Sequence, residues 1–460
     1  MEETNVLEQL YVGKAIRHRN SFAHLIEREV RPSNNLKVDN YTTSLEHIKQ
    51  EMPAYGTTDF RYPAIELRYP DGDHISHFEY QAYSVVEGKK KIEGMPSTFA
   101  TSNEATTLEI QLKDHYSDVM LTLSYTVFHE LSVITRHAML ENQGTHSVRV
   151  ERLMSLNIDF PTADYDFVHL HGAWAREAQV ERKALITGVQ NISSTRGASS
   201  HAHNPFFALA KKDATEHRGE VFGFSFVYSG NFLAQVEVDT YDVTRAMMGI
   251  NPHQFEWKLS ARETFTTPEA VMVYSDKGLN GMSQTFHTLY REQLINPKWA
   301  KRERPILINN WEATYFDFDE TKILEIAGDA KSLGIDLFVL DDGWFGKRDD
   351  DSSSLGNWAV DKEKLPNGIL GLAQKIHAMD LKFGLWFEPE MVSVGTPIHD
   401  AHPEWVIGHP EKNISHGRNQ YVLDFSRPEV VENIFDQMDA ILSSNEVDYI
   451  KWDMNRYISE

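Results

Sequence analysis

From Pro305 onward the chain repeats one pattern: a short, continuously apolar run, then a stretch with apolar residues at helical spacing. The runs are Ile306-Leu307-Ile308, Leu337-Phe338-Val339-Leu340, Phe383-Gly384-Leu385-Trp386 and Val447 to Asp453. Between them, Ile323, Ile326, Ala327 and Ala330 share one helical face. Ile369, Leu372, Ala373 and Ile376 share another, in a helix beginning near Pro366. Val430, Ile434, Met438 and Ile441 mark a third helix, with Ser426 as its expected N-cap. Gly334 is placed to cap the first. Strands without polar alternation are buried on both faces, which requires a parallel sheet covered by its own crossover helices.

Each run ends in polar side chains: Asn309-Asn310-Trp311-Glu312, Asp341-Asp342-Gly343-Trp344, Glu388-Pro389-Glu390, and Lys451 with Asp453. Functional groups gathered at the C-terminal ends of successive parallel strands are the mark of a (β/α)8, or TIM, barrel. Such a barrel takes about 250 residues, whereas residues 305–460 hold four strands. The expectation is therefore the first half of a barrel in a truncated sequence. Side chains two apart on a strand share a face, so Lys451 and Asp453 point together, with Trp452 opposite. An ammonium beside a carboxylate keeps the latter ionised, as a nucleophile of sugar chemistry must be.

The first part of the chain reads differently. Leu121, Leu123, Tyr125 and Val127 alternate with Thr122, Ser124 and Thr126, and Phe222, Phe224 and Phe226 alternate with Gly223 and Ser225. Many such half-buried strands, separated by turns such as Asp71-Gly72, predict a large antiparallel sandwich over residues 1–300. A linking helix is expected over 279–293, from Leu279, Met282, Phe286, Leu289, Tyr290 and Gln293, with Asn296-Pro297 as its end. The basic cluster Lys298 to Arg304 reads as a solvated linker, and Lys89-Lys90-Lys91 as a solvated turn. Asp349-Asp350-Asp351 reads as a mobile loop above the barrel face.

Composition narrows the function. A net charge of −23 without a basic stripe excludes DNA, RNA and anionic membrane surfaces as expected partners. No run of about 18 apolar residues predicts a membrane span, and the first 20 residues lack the apolar core of a signal peptide. A cytoplasmic protein is expected. The absence of cysteine excludes thiolate catalysis and zinc–thiolate sites. His169-Leu170-His171 and His201-Ala202-His203 have the spacing of metal ligands but lack an acidic cluster nearby in sequence, so they read as structural pairs.

Four motifs in order now name a family: Leu340-Asp341-Asp342-Gly343-Trp344-Phe345, Gly384-Leu385-Trp386-Phe387-Glu388-Pro389-Glu390-Met391, Arg418-Asn419-Gln420-Tyr421-Val422-Leu423-Asp424 and Lys451-Trp452-Asp453-Met454-Asn455. With Asp59-Phe60-Arg61, Gly172-Ala173-Trp174, Ser199-Ser200-His201 and Asn204-Pro205-Phe206 they make the chain resemble the bacterial α-galactosidases of glycoside hydrolase family 36. The resemblance implies an N-terminal β-supersandwich, a catalytic (β/α)8 barrel, retaining hydrolysis of α-1,6-galactosides such as melibiose, raffinose and stachyose, and no metal or other cofactor. It implies Asp453 as nucleophile, Lys451 bonding sugar hydroxyls and holding Asp453 ionised, and Asp341 and Asp342 accepting from the O4 and O6 hydroxyls. Trp311 and Trp386 would line the sugar pocket, although the residues alone read as core aromatics. Arg418 would contact the sugar. Asp59 would belong to a loop reaching a neighbouring subunit's site, in a homo-oligomer, often a tetramer. The family's acid/base aspartate has no counterpart here, so this stretch alone is expected to be inactive.

The same carboxylates leave other chemistries open. Asp341, Asp342, Glu388 and Asp453 would also suit a Mg²⁺-dependent barrel lyase, though Lys451 and the tryptophans weigh against a bound cation. A galactoside-binding protein without catalysis, an α-N-acetylgalactosaminidase and a galactosyl-transferring synthase are the remaining alternatives.

Overall fold

The computed structural model describes residues 6–17, 21–26, 29–38, 41–409, 411–443 and 446–460. The chain divides into two compact units, Met1–Lys301 and Arg302–Glu460.

The first unit is built on a ten-stranded and a six-stranded sheet, both antiparallel. Four neighbouring strands at one end of the larger sheet are β1 (Phe78–Glu87), β2 (Ala105–Asp114), β3 (Val119–Phe128) and β4 (Val133–Asn142). Alternation decides which side chains meet the second sheet. Leu121, Leu123, Ala138 and Leu140 point inward and pack with Leu153, Met154 and Met247 of the six-stranded sheet. A second cluster joins Phe207, Phe222 and Phe224 to Phe160, Phe232 and Ala246 across the same interface, with Phe207 and Phe224 stacked at 4.5 Å. Removing each such ring from water contributes about 2–3 kcal/mol.

Helix α1 (Gly278–Gln293) lies on the other face of the large sheet, burying Met282, Phe286 and Leu289 against Val221, Val271 and Val273. Gly223 permits that approach: a Cβ there would stand 2.5 Å from Met282 Sδ. Asn296 does not end this helix. It caps the next one, Pro297–Ala300, accepting from the Lys298 amide at 3.0 Å, so part of the expected linker is helical.

The second unit holds a four-stranded parallel sheet of β5 (Leu307–Asn309), β6 (Leu337–Leu340), β7 (Lys382–Phe387) and β8 (Tyr449–Trp452), in that spatial order. Helices α2 (Glu320–Ser332), α3 (Gly368–His377) and α4 (Pro428–Leu442) connect them. Their expected apolar faces form one core with Phe338, Leu340, Phe383, Leu385 and Phe387. Gly334 follows α2 with φ +86°, the left-handed conformation that a C-terminal cap requires. Ser426 does not cap α4. Arg427 is the N-cap residue, and the Ser426 hydroxyl donates to Asp424 Oδ1 at 2.6 Å. Pro428 at the first helical position fixes φ where no amide donor is needed.

No helix among the described residues is long and apolar enough to cross a membrane.

Candidate active site

Register gathers the polar strand ends on one face. Asn309 lies opposite Val339, Val339 opposite Gly384, and Trp386 opposite Lys451. Stepping two residues along each strand keeps the face, so Asn309, Asp341, Trp386, Lys451 and Asp453 share it. Odd and even positions divide the labour, because Phe338, Leu340, Phe383, Leu385 and Phe387 take the helix-covered side.

Lys451 grips Asp341 rather than Asp453. Its Nζ is 2.7 Å from Asp341 Oδ2, which also accepts from Asn309 Nδ2 at 2.6 Å. Asp341 Oδ1 accepts from the Asp342 amide at 2.9 Å, and the Asp341 amide donates to Asn310 Oδ1 at 2.8 Å. The expected role of Lys451 in bracing Asp453 is thereby corrected: the ammonium crosses β7 to reach the end of β6. Among the described residues, no group of three or more His, Asp or Glu side chains has the arrangement to hold a metal ion.

Asp342 is clamped by Arg348 in a bidentate pair, Nε to Oδ1 at 2.8 Å and Nη2 to Oδ2 at 2.9 Å. Burial pushes the Asp342 carboxyl above the ordinary aspartate range, and Arg348 offsets only part of that rise. A bidentate guanidinium uses two of about four lone-pair sites on a carboxylate, leaving Asp342 lone pairs for further donors. Arg348→Ala strands a buried carboxylate and should destabilise the chain by roughly 3 kcal/mol or more. A denaturant melt checks this, and an unchanged midpoint would show that the clamp contributes nothing.

Asp453 is half-buried and follows β8. Its Oδ2 accepts from Trp386 Nε1 and from Asn455 Nδ2, each at 3.0 Å, and its Oδ1 from the Met454 amide at 3.0 Å. Asn455 is itself held by Glu388, whose Oε1 takes the Asn455 amide and whose Oε2 takes Asn455 Nδ2 at 3.2 Å. Gln420 Nε2 donates to the same Oε1 at 2.8 Å. Burial pushes the Glu388 carboxyl up, and the Asp453 charge adds to the rise. Glu388 is fully buried, so it braces Asn455 and does not face solvent.

Trp386 stands differently from the expected pocket wall. It is 1% exposed and lies parallel to Phe345 at 6.0 Å, so its ring belongs to the core and only its N–H edge serves the site. Trp311 is half-buried, edge-on to Tyr315 and Phe316 at 5.2 and 5.1 Å, and keeps surface for a ligand. Arg418 is exposed in a turn with φ +52° and has no hydrogen bond or ion pair among the described residues, so no contact brings it to the acidic cluster.

Asp59 is corrected more strongly. In the first unit its carboxylate is 1% exposed and saturated by Arg61 Nε (2.8 Å), Arg245 Nη2 (2.8 Å) and Gln50 Nε2 (2.6 Å). Burial alone would raise its pKa, but the two guanidinium groups outweigh burial and hold it below the usual value. No oxygen remains for a sugar hydroxyl, whereas the neighbouring Phe60 is 68% exposed.

Sequence reasoning gave Arg348 and Asn455 no part in this assembly, named Asn309 only as a polar strand end, and offered Glu388 only as a metal ligand. A signal was present for two of them: Glu388 stands two residues beyond Trp386, and Asn455 two beyond Asp453, on the functional face.

The glycosyl hydrolase family 36 N-terminal domain profile matches residues 5–260, and the melibiase profile matches residues 264–460. The chain is 51% identical to alpha-galactosidase AgaA of Geobacillus stearothermophilus over 455 residues, covering 99% of this chain and 62% of that protein. The crystal structure of AgaA superposes with a TM-score of 0.95, covering 98% of this chain and 63% of the other. An AgaA variant in complex with raffinose gives 0.96 at 50% identity, covering 99% and 64%. The alpha-galactosidase structure from Lactobacillus brevis gives 0.97 at 44% identity, covering 100% and 62%. The chain thus spans somewhat less than two thirds of the length of these relatives. Matches along nearly all of its own length place it in glycosyl hydrolase family 36, to which it belongs.

Proposed function

We propose that this chain forms the nucleophile-bearing and galactose-gripping part of a retaining α-galactosidase that acts on terminal α-1,6-galactosides such as raffinose and stachyose. The parallel sheet is read as the first half of a (β/α)8 barrel, with its functional groups at the strands' C-terminal ends. One observation carries the reading: Asp453, half-buried, is held at a fixed angle by Trp386 and Asn455 on the same face as the Lys451–Asp341 pair.

In this reading an Asp453 oxygen attacks the anomeric carbon as the glycosidic bond breaks. A carboxyl acid, which the chain's assigned residues do not supply, protonates the departing oxygen. Water then cleaves the glycosyl ester and regenerates the carboxylate. The N–H donors on Oδ2 fix the carboxylate before the reaction, so little reorganisation is needed in the transition state. Asp341 and Asp342 take galactose hydroxyls, and Lys451 donates to them. The paired, desolvated carboxylates make a missing hydroxyl costly, which is how such a site rejects an epimer. Trp311 offers its free surface to the ring. In a homo-oligomer, Phe60 rather than Asp59 is the group able to meet a neighbouring subunit.

Support comes from the geometry and from the AgaA complexes, whose names record raffinose and stachyose. The test is covalent trapping. An activated fluorogalactoside incubated with active enzyme carrying this sequence should leave one glycosyl mass on the peptide containing Asp453. A label elsewhere, or none while activity is lost, overturns the assignment.

A further inference from the structure

Away from the apolar part covered by α1, the second face of the large sheet is polar. Opposite the core residues of β2, β3 and β4 stand Thr107 and Glu109, Ser124 and Thr126, and His137. Thr107 faces Thr126, Glu109 faces Ser124, and Ser124 faces His137 across the strands. An outer face of this kind is normally solvated. Here it is not: Thr107, Ser124 and Thr126 are buried, at the floor of an open groove of about 740 Å³. The loop bearing Lys90 and Lys91 walls one side, and Trp257 and Phe265 line the groove as well.

Three groups in the groove lack partners. Among the described residues, no hydrogen bond is made by the His137 imidazole, the Ser124 hydroxyl or the Trp257 indole N–H. Trp257 is 48% exposed and leans on Phe265 at 5.3 Å, which fixes its plane. A tryptophan held half in solvent at the rim of a groove that also holds unfilled donors and acceptors is the composition of a ligand surface rather than of a core.

Charge selects the ligand class. Lys89 is no solvated cation, contrary to the expected turn. It is buried and paired with Glu269 at 2.9 Å. Lys90 and Lys91 line the groove together with Glu93 and Glu109, so these four side chains bring no net charge. Burial, with Lys89 adding, pushes His137 down to about 4, so at neutral pH its ring offers one donor and one acceptor and no charge. With Lys89 paired to Glu269 and the other four charges summing to zero, neither a phosphate nor an ammonium meets an excess of opposite charge. A sugar presents hydroxyls that both donate and accept, together with an apolar C–H face suited to an indole plane.

We propose that this groove is a second, non-catalytic site for a neutral oligosaccharide, with one ring on Trp257 and its hydroxyls on His137 and Ser124. The site is independent of Asp453, and it can be tested independently.

The nine tryptophans allow that separation. In the 460-residue chain labelled with 5-fluorotryptophan, the Trp257 resonance is assigned by its loss in Trp257→Phe. Raffinose titrated to about 50 mM, a range that detects millimolar affinity, should shift that resonance saturably. His137→Ala should weaken the response tenfold or more without moving the other resonances in the absence of sugar, which shows that the variant is folded. An unmoved Trp257 signal overturns the proposal, as does a shift that His137→Ala leaves intact. A response to a sulfated oligosaccharide but not to raffinose overturns it too, since the groove would then be an anion site. Shifts at Trp311 or Trp386 report on the Asp453 site separately, so either assignment can fail while the other stands.

Discussion

Asp453→Ala, made in an active enzyme carrying this sequence, should lower kcat by about 10⁴-fold or more, the range seen when a covalent nucleophile is removed. KM should change little by comparison, because Asp341, Asp342 and Lys451 remain to bind the sugar. The fold should survive, since Asp453 is half-buried and water can satisfy the freed Trp386 and Asn455 donors. A second measurement separates lost nucleophile from lost structure. Azide, small enough to enter the space left by the side chain, should restore turnover and give a β-galactosyl azide, the product of a single displacement. Activity within about tenfold of the parent would remove Asp453 from the mechanism.

Arg245→Ala should give the largest loss of stability. Its guanidinium is fully buried and bonds two buried carboxylates, Asp59 at 2.8 Å and Asp159 at 2.9 Å. Replacing such a group leaves uncompensated charge in a low-dielectric interior, at about 3–5 kcal/mol. Arg61 stays, 2.8 Å from Asp59 and 3.7 Å from Asp159, but cannot serve both with good geometry. The pH dependence follows from the direction of the Asp59 shift. A carboxylate whose folded pKa is depressed contributes its full stability above the unfolded value of about 3.9 and loses it as pH falls through the folded value. Removing Arg245 raises the folded value toward the unfolded one, so below about pH 4 the variant should lose less stability than the parent and the gap between them should narrow. Urea melts at neutral pH and below about pH 4 check both points, and a variant that melts with the parent would show that the network is neutral.

What the sequence made legible follows from what periodicity encodes. Continuous apolar runs and 3.6-residue spacing identified the four parallel strands and three covering helices, because burial on two faces or one leaves those patterns. The polar strand ends located Asp341 and Asp453 for the same reason. Lateral relations were not legible. The Lys451–Asp341 pair spans two strands with β7 between them, and no local pattern records which strands are neighbours. Arg348 was hidden because it clamps Asp342 from an irregular loop, where side-chain direction has no period. Trp386 was assigned a wall position since an aromatic at a strand end is compatible with core and pocket alike, and only Phe345 stacked on its face decides. Asp59 misled through its motif, because the resemblance pointed to a loop and said nothing of the two arginines that consume its carboxylate. Ser426 is a good N-cap in isolation, but Pro428 shifts the helix start by one residue.

The bond between Asp341 and Lys451 joins positions 110 residues apart. On a ribosome adding about 5–20 residues per second, the aspartate waits roughly 5–20 s for its counter-charge to be made. Throughout that interval β6 ends in a carboxylate whose ammonium partner has yet to be translated. Closure of this cluster therefore cannot precede the synthesis of residue 451, and nascent chains arrested before it should lack the bond that holds the end of β6 to β8.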